Sequence, residues 1–157
     1  MPCILGLRAS SLAVNKVMSK RILAVDDDAS VRESLGKVLV QSGYTVDLAT
    51  NGAEAEQLLK AGGFDLLILD LNMPDKDGWD VLALTTTEFP LMPVILITGM
   101  FDQLDSTMIP GISVLMKKPI DVPPLLEKVE ELLAQTLEQR MSLAARRREN
   151  EPRLRVG

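Results

Sequence analysis

Histidine is missing altogether from this chain of 157 residues. Its absence excludes a Ser-His-Asp or Cys-His nucleophilic relay, a histidine metal site, and any part as a phosphohistidine donor. Cysteine occurs once, as Cys3, so no intrachain disulfide can form and nothing points to an oxidising compartment. Long hydrophobic runs are lacking too. The most apolar stretch, 91–101, is interrupted by Pro93 and falls well short of the ~20 residues that a membrane-spanning helix needs. The first residues carry Arg8 and Lys16 and no long apolar block, which makes a poor signal peptide. A cytoplasmic protein without membrane contact is the expectation. Basic residues are outnumbered, 17 against 22 acidic ones, for a net charge of −5. That balance argues against a general nucleic-acid surface, so no direct DNA binding is expected.

What is present has the make-up of one globular domain. Apolar residues contribute 46% and charged residues 25%, enough to bury a core without staples. Met18 opens the phrase MSKRILAVDDD, which reads as the beginning of a domain. Residues 1–19 are therefore expected to be an N-terminal extension, either disordered or a mis-assigned start. From Lys20 onward strand-like and helix-like periods alternate. The apolar run 22–25 is closed by three aspartates. Asp28 or Ser30 can then cap a helix with Val31, Leu35, Val38 and Leu39 on one face, ending at Gly43. Thr45-Val46-Asp47-Leu48 alternates as a strand, and 53–60 is helical, with Ala55, Leu58 and Leu59 inward, until Gly62-Gly63 stops it.

The most apolar strand, 65–69, ends at Asp70, and 78–86 predicts a helix that buries Trp79, Leu82 and Ala83. Residues 94–97 form a fourth strand and 112–116 a fifth. Between them the helix expected over 102–109 is short or irregular, because Pro110-Gly111 ends it early. A long last helix starts near Val122, marked by Leu125, Leu126, Val129, Leu132, Leu133 and Leu137. Five strands alternating with helices, without hairpin signals, mean βαβ units and a parallel sheet. With right-handed crossovers the helices cover both faces. The fold class is a doubly wound α/β domain over 20–135.

In such sheets ligands bind beyond the carboxyl ends of the strands, near the point where strand order reverses. Strand one ends in Asp26-Asp27-Asp28, strand three in Asp70, strand four in Thr98, and Lys118 follows strand five. Carboxylates, a hydroxyl and an ammonium should converge on one edge. Carboxylates held close repel unless a cation or protons intervene. Hard oxygen ligands without His or Cys favour Mg²⁺ or Mn²⁺ over zinc. Each residue also has a plainer use. Asp26 to Asp28 could simply cap the first helix, Asp70 could be a turn aspartate, and Thr98-Gly99 could be a structural turn.

AVDDD (24–28), LLILDLNMPDKDG (66–78), ILITG (95–99) and KKP (117–119) together resemble the receiver domain of bacterial two-component response regulators. The resemblance covers residues 20–135 and implies a flavodoxin-like strand order 2-1-3-4-5. It implies that Asp70 is the phosphoacceptor, attacking a phosphohistidine on a histidine kinase or histidine phosphotransfer protein to form an acyl phosphate. It further implies Mg²⁺ on Asp27, Asp70 and the carbonyl of Asn72, with Asp26 acting mainly through water. Lys118 and Thr98 would each meet a phosphoryl oxygen, and Pro119 matches a cis-proline position that directs the lysine. Leu115 stands where an aromatic switch residue is usual, so signalling through an aromatic rotamer is not expected.

The expected function is a stand-alone phosphorelay response regulator that switches the binding of an unknown downstream protein. It would not be an enzyme beyond catalysing its own phosphorylation and dephosphorylation. Two rivals stay open: a Mg²⁺-dependent phosphohydrolase with an aspartyl nucleophile, and a pseudo-receiver that only docks partners. The hydrolase usually needs a second aspartate two residues after the nucleophile, and Asn72 stands there. Because the last helix takes up most of the residues after Ile120, no output domain is expected. Residues 136–157 are expected to extend the last helix into a basic tail with Arg146-Arg147-Arg148, leaving Leu137, Met141 and Ala144 as an apolar stripe. That stripe suggests a homodimer or docking through the C-terminal helix, with the arginines steering it toward an acidic surface.

Overall fold

The computed structural model describes residues 19–73, 78–99, 109 and 111–150. In chain order the elements are β1 (Arg21–Val25), α1 (Ala29–Gln41), β2 (Thr45–Ala49), α2 (Gly52–Ala61), β3 (Leu66–Asp70), α3 (Gly78–Glu88), β4 (Val94–Thr98), β5 (Val114–Lys117), α4 (Val122–Leu133) and α5 (Leu137–Asn150). All strand pairs are parallel, in the order β2-β1-β3-β4-β5, as expected. The helix expected over 102–109 lies outside the described residues, apart from the buried Ile109, and so does the extension over 1–18.

Burial on both faces explains why β3 and β4 are apolar up to their last residues, Asp70 and Thr98. Successive side chains alternate between two cores. Leu23, Val25, Leu67, Leu69, Val94 and Leu96 meet α2 and α3 through Ala55, Leu59, Val81 and Leu82. Ile22, Ala24, Leu66, Ile68, Ile95 and Ile97 meet α1 and α4 through Leu35, Leu39, Leu125 and Val129. The register pairs Val25 with Leu69 and Asp70 with Ile97. The chain therefore leaves β1 and β3 side by side at the crevice where strand order reverses.

Three expectations need correction. Helix α3 buries Gly78, Val81, Leu82 and Thr85, while Trp79 stays 41% exposed and Ala83 is exposed. Its phase is set at Gly78, which lies flush on the end of β3. A Cβ there would sit 2.4 Å from the Asp70 carbonyl oxygen and 2.7 Å from Leu71 Cα. Backbone atoms cannot yield as a flexible side chain can. Gly78→Ala should therefore cost about 2 kcal/mol or more in urea unfolding. The second correction is to β5, which begins at Val114 and not at 112, because Gly111 turns with φ +84° and the Ser113 N–H bonds to the Val94 carbonyl at 2.8 Å.

The third concerns the end of the chain. The last helix is not continuous. It stops at Leu133, and α5 starts afresh behind a reciprocal cap: the Gln139 N–H donates to Thr136 Oγ1 at 3.1 Å, and the Thr136 N–H to Gln139 Oε1 at 2.9 Å. Helix α5 turns Ala144 into the body. Only Leu137 and Met141 of the expected stripe remain exposed, at 64% and 55%. Arg147 points inward to Ser113, so the basic segment is not simply a solvated steering surface. No helix among the described residues is long and apolar enough to cross a membrane.

Candidate functional site

The site grows from strand ends. Asp26 directly follows β1, and its N–H is still held by the Ala49 carbonyl of β2 at 3.2 Å. Asp26 is 2% exposed, as is Asp70, the last residue of β3. Each carboxylate turns one oxygen back onto its own loop. Asp26 Oδ1 accepts from the Asp28 N–H at 2.9 Å, and Asp70 Oδ1 from the Asn72 N–H at 3.0 Å. The other oxygen of each meets the same ammonium: Lys118 Nζ lies 3.0 Å from Asp26 Oδ2 and 3.0 Å from Asp70 Oδ2. Oxygens of Asp26, Asp27 and Asp70 all lie within 4.8 Å of one another. Asp27 is the exposed member.

Two buried carboxylates share one lysine. The Asp70 carboxyl is raised above its usual value first by burial and then by the like charge of Asp26, although the Asn72 N–H and Lys118 pull the other way. Lys118 is itself raised: burial disfavours its charge, but hydrogen bonds and attraction from Asp26 and Asp70 outweigh it. The cluster carries surplus negative charge in a poorly solvated crevice. A hard divalent cation would neutralise that surplus, and the all-oxygen donor set fits Mg²⁺ or a similar ion.

Most of the expected site residues gather here. Thr98 is fully buried at the end of β4, and its carbonyl accepts the Lys118 N–H at 3.0 Å, which ties the two strand ends together. Asn72 follows β3 within one turn of Asp70. The Lys118–Pro119 bond is cis. Lys117 is exposed while Lys118 faces the carboxylates. Asp28 has the plainer role, capping α1 by accepting from the Ser30 and Val31 N–H groups. Leu115 lies in β5 opposite Leu96, away from the cluster and half-buried against the α2–α3 side.

One participant escaped the reading of carboxylate positions. Arg32 Nη1 donates to the Asp26 carbonyl at 2.9 Å and to that of Asp27 at 3.5 Å, bracing the loop that carries both aspartates. A signal was available. A cation near a helix N-terminus opposes the helix dipole, so an arginine so close to the start of α1 needs a local acceptor to hold it.

The family model described as the response regulator receiver domain matches residues 22–130. The chain belongs to that family. Among curated receiver-containing proteins, it is 34% identical over 115 residues to the transcriptional regulatory protein CusR of Escherichia coli (strain K12), covering 72% of this chain and 51% of that one. It is 36% identical over 121 residues to the response regulator MprA of Mycobacterium ulcerans, covering 76% and 52%. The chain thus spans about half the length of the curated relatives it matches. Among solved structures, a CheY-like receiver domain protein from Methanospirillum hungatei JF-1 aligns with a TM-score of 0.69 at 31% identity, covering 79% of this chain and 98% of that one. The response regulator TrrA from Thermotoga maritima, solved in complex with Mg²⁺-BeF, aligns with a TM-score of 0.65 at 34% identity, covering 72% and 98%. The receiver match ends before α5, which lies outside the matched residues.

Proposed function

We propose that this receiver domain accepts a phosphoryl group on Asp70 from a phosphohistidine of a histidine kinase or histidine phosphotransfer protein, and thereby changes its affinity for a downstream protein. The observation that carries this reading is the single ammonium of Lys118 placed 3.0 Å from both Asp26 and Asp70. An Asp70 oxygen would attack phosphorus as the phosphorus–nitrogen bond breaks, and the imidazole leaves with the bonding pair. Asp27, Asp70 and the Asn72 carbonyl would hold Mg²⁺, with Asp26 acting through water. The metal's contribution is to draw negative charge from the phosphoryl oxygens. Lys118 then transfers its attention from two carboxylates to one phosphoryl oxygen, and Thr98 meets another. The crevice is shallow at Asp27, which leaves that side open to the donor.

Incubation with acetyl phosphate and Mg²⁺ tests this reading against its rivals. One acyl phosphate per chain supports the receiver function. Sustained turnover of the donor supports the phosphohydrolase, and no modification leaves a docking module. Asn72 disfavours the hydrolase, because it supplies no second carboxylate as acid or base. The metal assignment has its own test in Trp79, which starts α3 beside Gly78. Titrated Mg²⁺ should change its fluorescence, and Asp27→Ala should weaken binding by at least about tenfold, since even outer-shell partners of a metal are worth that much. Equal affinity in both proteins would contradict the coordination by Asp27.

A further inference from the structure

A guanidinium normally seeks a carboxylate, whose two oxygens match its fork with parallel hydrogen bonds. Asp27 offers an exposed carboxylate on the loop next to Arg32. Arg32 nevertheless spends Nη1 on main-chain oxygens, the Asp26 carbonyl at 2.9 Å and the Asp27 carbonyl at 3.5 Å. Among the described residues, the Asp27 carboxylate joins no ion pair. The neighbours of Asp27 are tied down by their own side chains. Asp26 Oδ1 accepts from the Asp28 N–H at 2.9 Å. Asp28 Oδ1 accepts from the Ser30 and Val31 N–H groups, at 2.9 and 3.3 Å. The Asp28 carbonyl takes the Arg32 N–H at 2.9 Å, which fixes Arg32 in the first turn of α1. Its side chain then folds back over the loop.

The two carbonyls that Arg32 meets belong to the two peptide units flanking the Asp27 Cα. We propose that Arg32 is a positioning residue for the divalent ion: by holding both peptide units, it aims an unpaired Asp27 carboxylate into the crevice shared with Asp26 and Asp70, whose oxygens lie within 4.8 Å of one another and of Asp27. This rests on the reading of that cluster as a Mg²⁺ site. The charge of Arg32 works against the same end, because a guanidinium repels a divalent cation. Exposed charges are screened over about 8 Å at roughly 0.15 M ionic strength, and Arg32 is only half-buried. Groups that orient metal ligands from outside the coordination shell are worth roughly 10- to 100-fold in affinity. Orientation therefore outweighs repulsion.

The test titrates the full chain with Mn²⁺ at physiological ionic strength and counts the free ion by electron paramagnetic resonance. Arg32→Met keeps the apolar stem and loses both donors and charge, while Arg32→Lys keeps a charged donor. Arg32→Met should weaken binding roughly tenfold, and Arg32→Lys should recover part of that loss. With Asp27→Ala already in place, Arg32→Met should weaken binding no further, because the carboxylate through which Arg32 acts is gone. A loss of equal size with and without Asp27 overturns the proposal, since it marks a general loosening of the fold. Binding as tight or tighter in Arg32→Met overturns it as well, by showing that repulsion governs. Should Arg32→Met fail to fold, Arg32→Lys is read in the same two backgrounds, with a smaller loss expected beside Asp27 and none beside Asp27→Ala. A wild type that takes up no Mn²⁺ overturns the metal reading of the cluster, and this proposal with it.

Discussion

Asp70→Asn is expected to lose labelling by acetyl phosphate by a factor on the order of a thousand or more, the scale on which removal of a nucleophile acts, while gaining stability in the metal-free state. Both effects come from one property of the crevice. Asparagine keeps the shape and can still accept from the Asn72 N–H, but it has no anionic oxygen to attack phosphorus. It also removes one of two buried carboxylates that share Lys118. Because the folded pKa of Asp70 is raised above 3.8, the native state holds its proton more tightly than the unfolded state does. Stability of the wild type therefore falls as pH rises from about 3.8 through the folded pKa, and stays lower above it. The asparagine variant has no such loss. In EDTA, its Tm advantage should vanish in acid and be full at neutral pH. Saturating Mg²⁺ should narrow the advantage, because the wild type binds the ion better. An asparagine variant less stable than wild type at neutral pH without metal would show that the carboxylate is not penalised there.

Lys118→Ala is expected to act in the opposite direction. It strips the ammonium shared by two carboxylates, Asp26 and Asp70, whose residues are each 2% exposed, and breaking a buried pair in this way costs about 3 kcal/mol. Urea unfolding in EDTA measures the loss, and Mg²⁺ should restore part of it. The raised pKa of Lys118 sets the pH window. Its contribution is complete below the unfolded value of 10.5 and is lost as pH rises through the folded one. Phosphorylation should fall as well, since no cation is left to meet the phosphoryl oxygen that Mg²⁺ does not. Unchanged stability together with unchanged labelling would remove Lys118 from the site.

Much of this was legible in the residues, and the failures have identifiable causes. The strand ends were readable because β3 and β4 are buried on both faces, so their apolar runs are continuous and each stops at a polar residue, Asp70 or Thr98. The phase of α3 was not, because apolar residues surround that helix and nothing local distinguishes Val81 from Ala83. It is the close approach of Gly78 to the Asp70 carbonyl that chooses the face, a contact between elements. The break before α5 could have been seen. Thr136-Leu137-Glu138-Gln139 has the S/T-x-x-E/Q spacing of a capping box, but the leucines on either side of it continue the helical period and masked the restart. Arg140 and Arg147 looked like solvent-facing charges of a basic tail. Only a helix that turns back across the sheet edge can place them inside, and no pattern of charges along the chain reveals that turn.

The reading of Asp70 as phosphoacceptor stands most directly on one measurement. The full chain is incubated with acetyl phosphate and Mg²⁺, and the site of modification is mapped by mass spectrometry of peptides cut under conditions that preserve an acyl phosphate. The account predicts a mass gain of one phosphoryl group, confined to the peptide that contains Asp70, labile to hydroxylamine, and absent when EDTA replaces the metal. A phosphoryl group on Asp26, Asp27 or a hydroxyl side chain, with the Asp70 peptide unmodified, would contradict it.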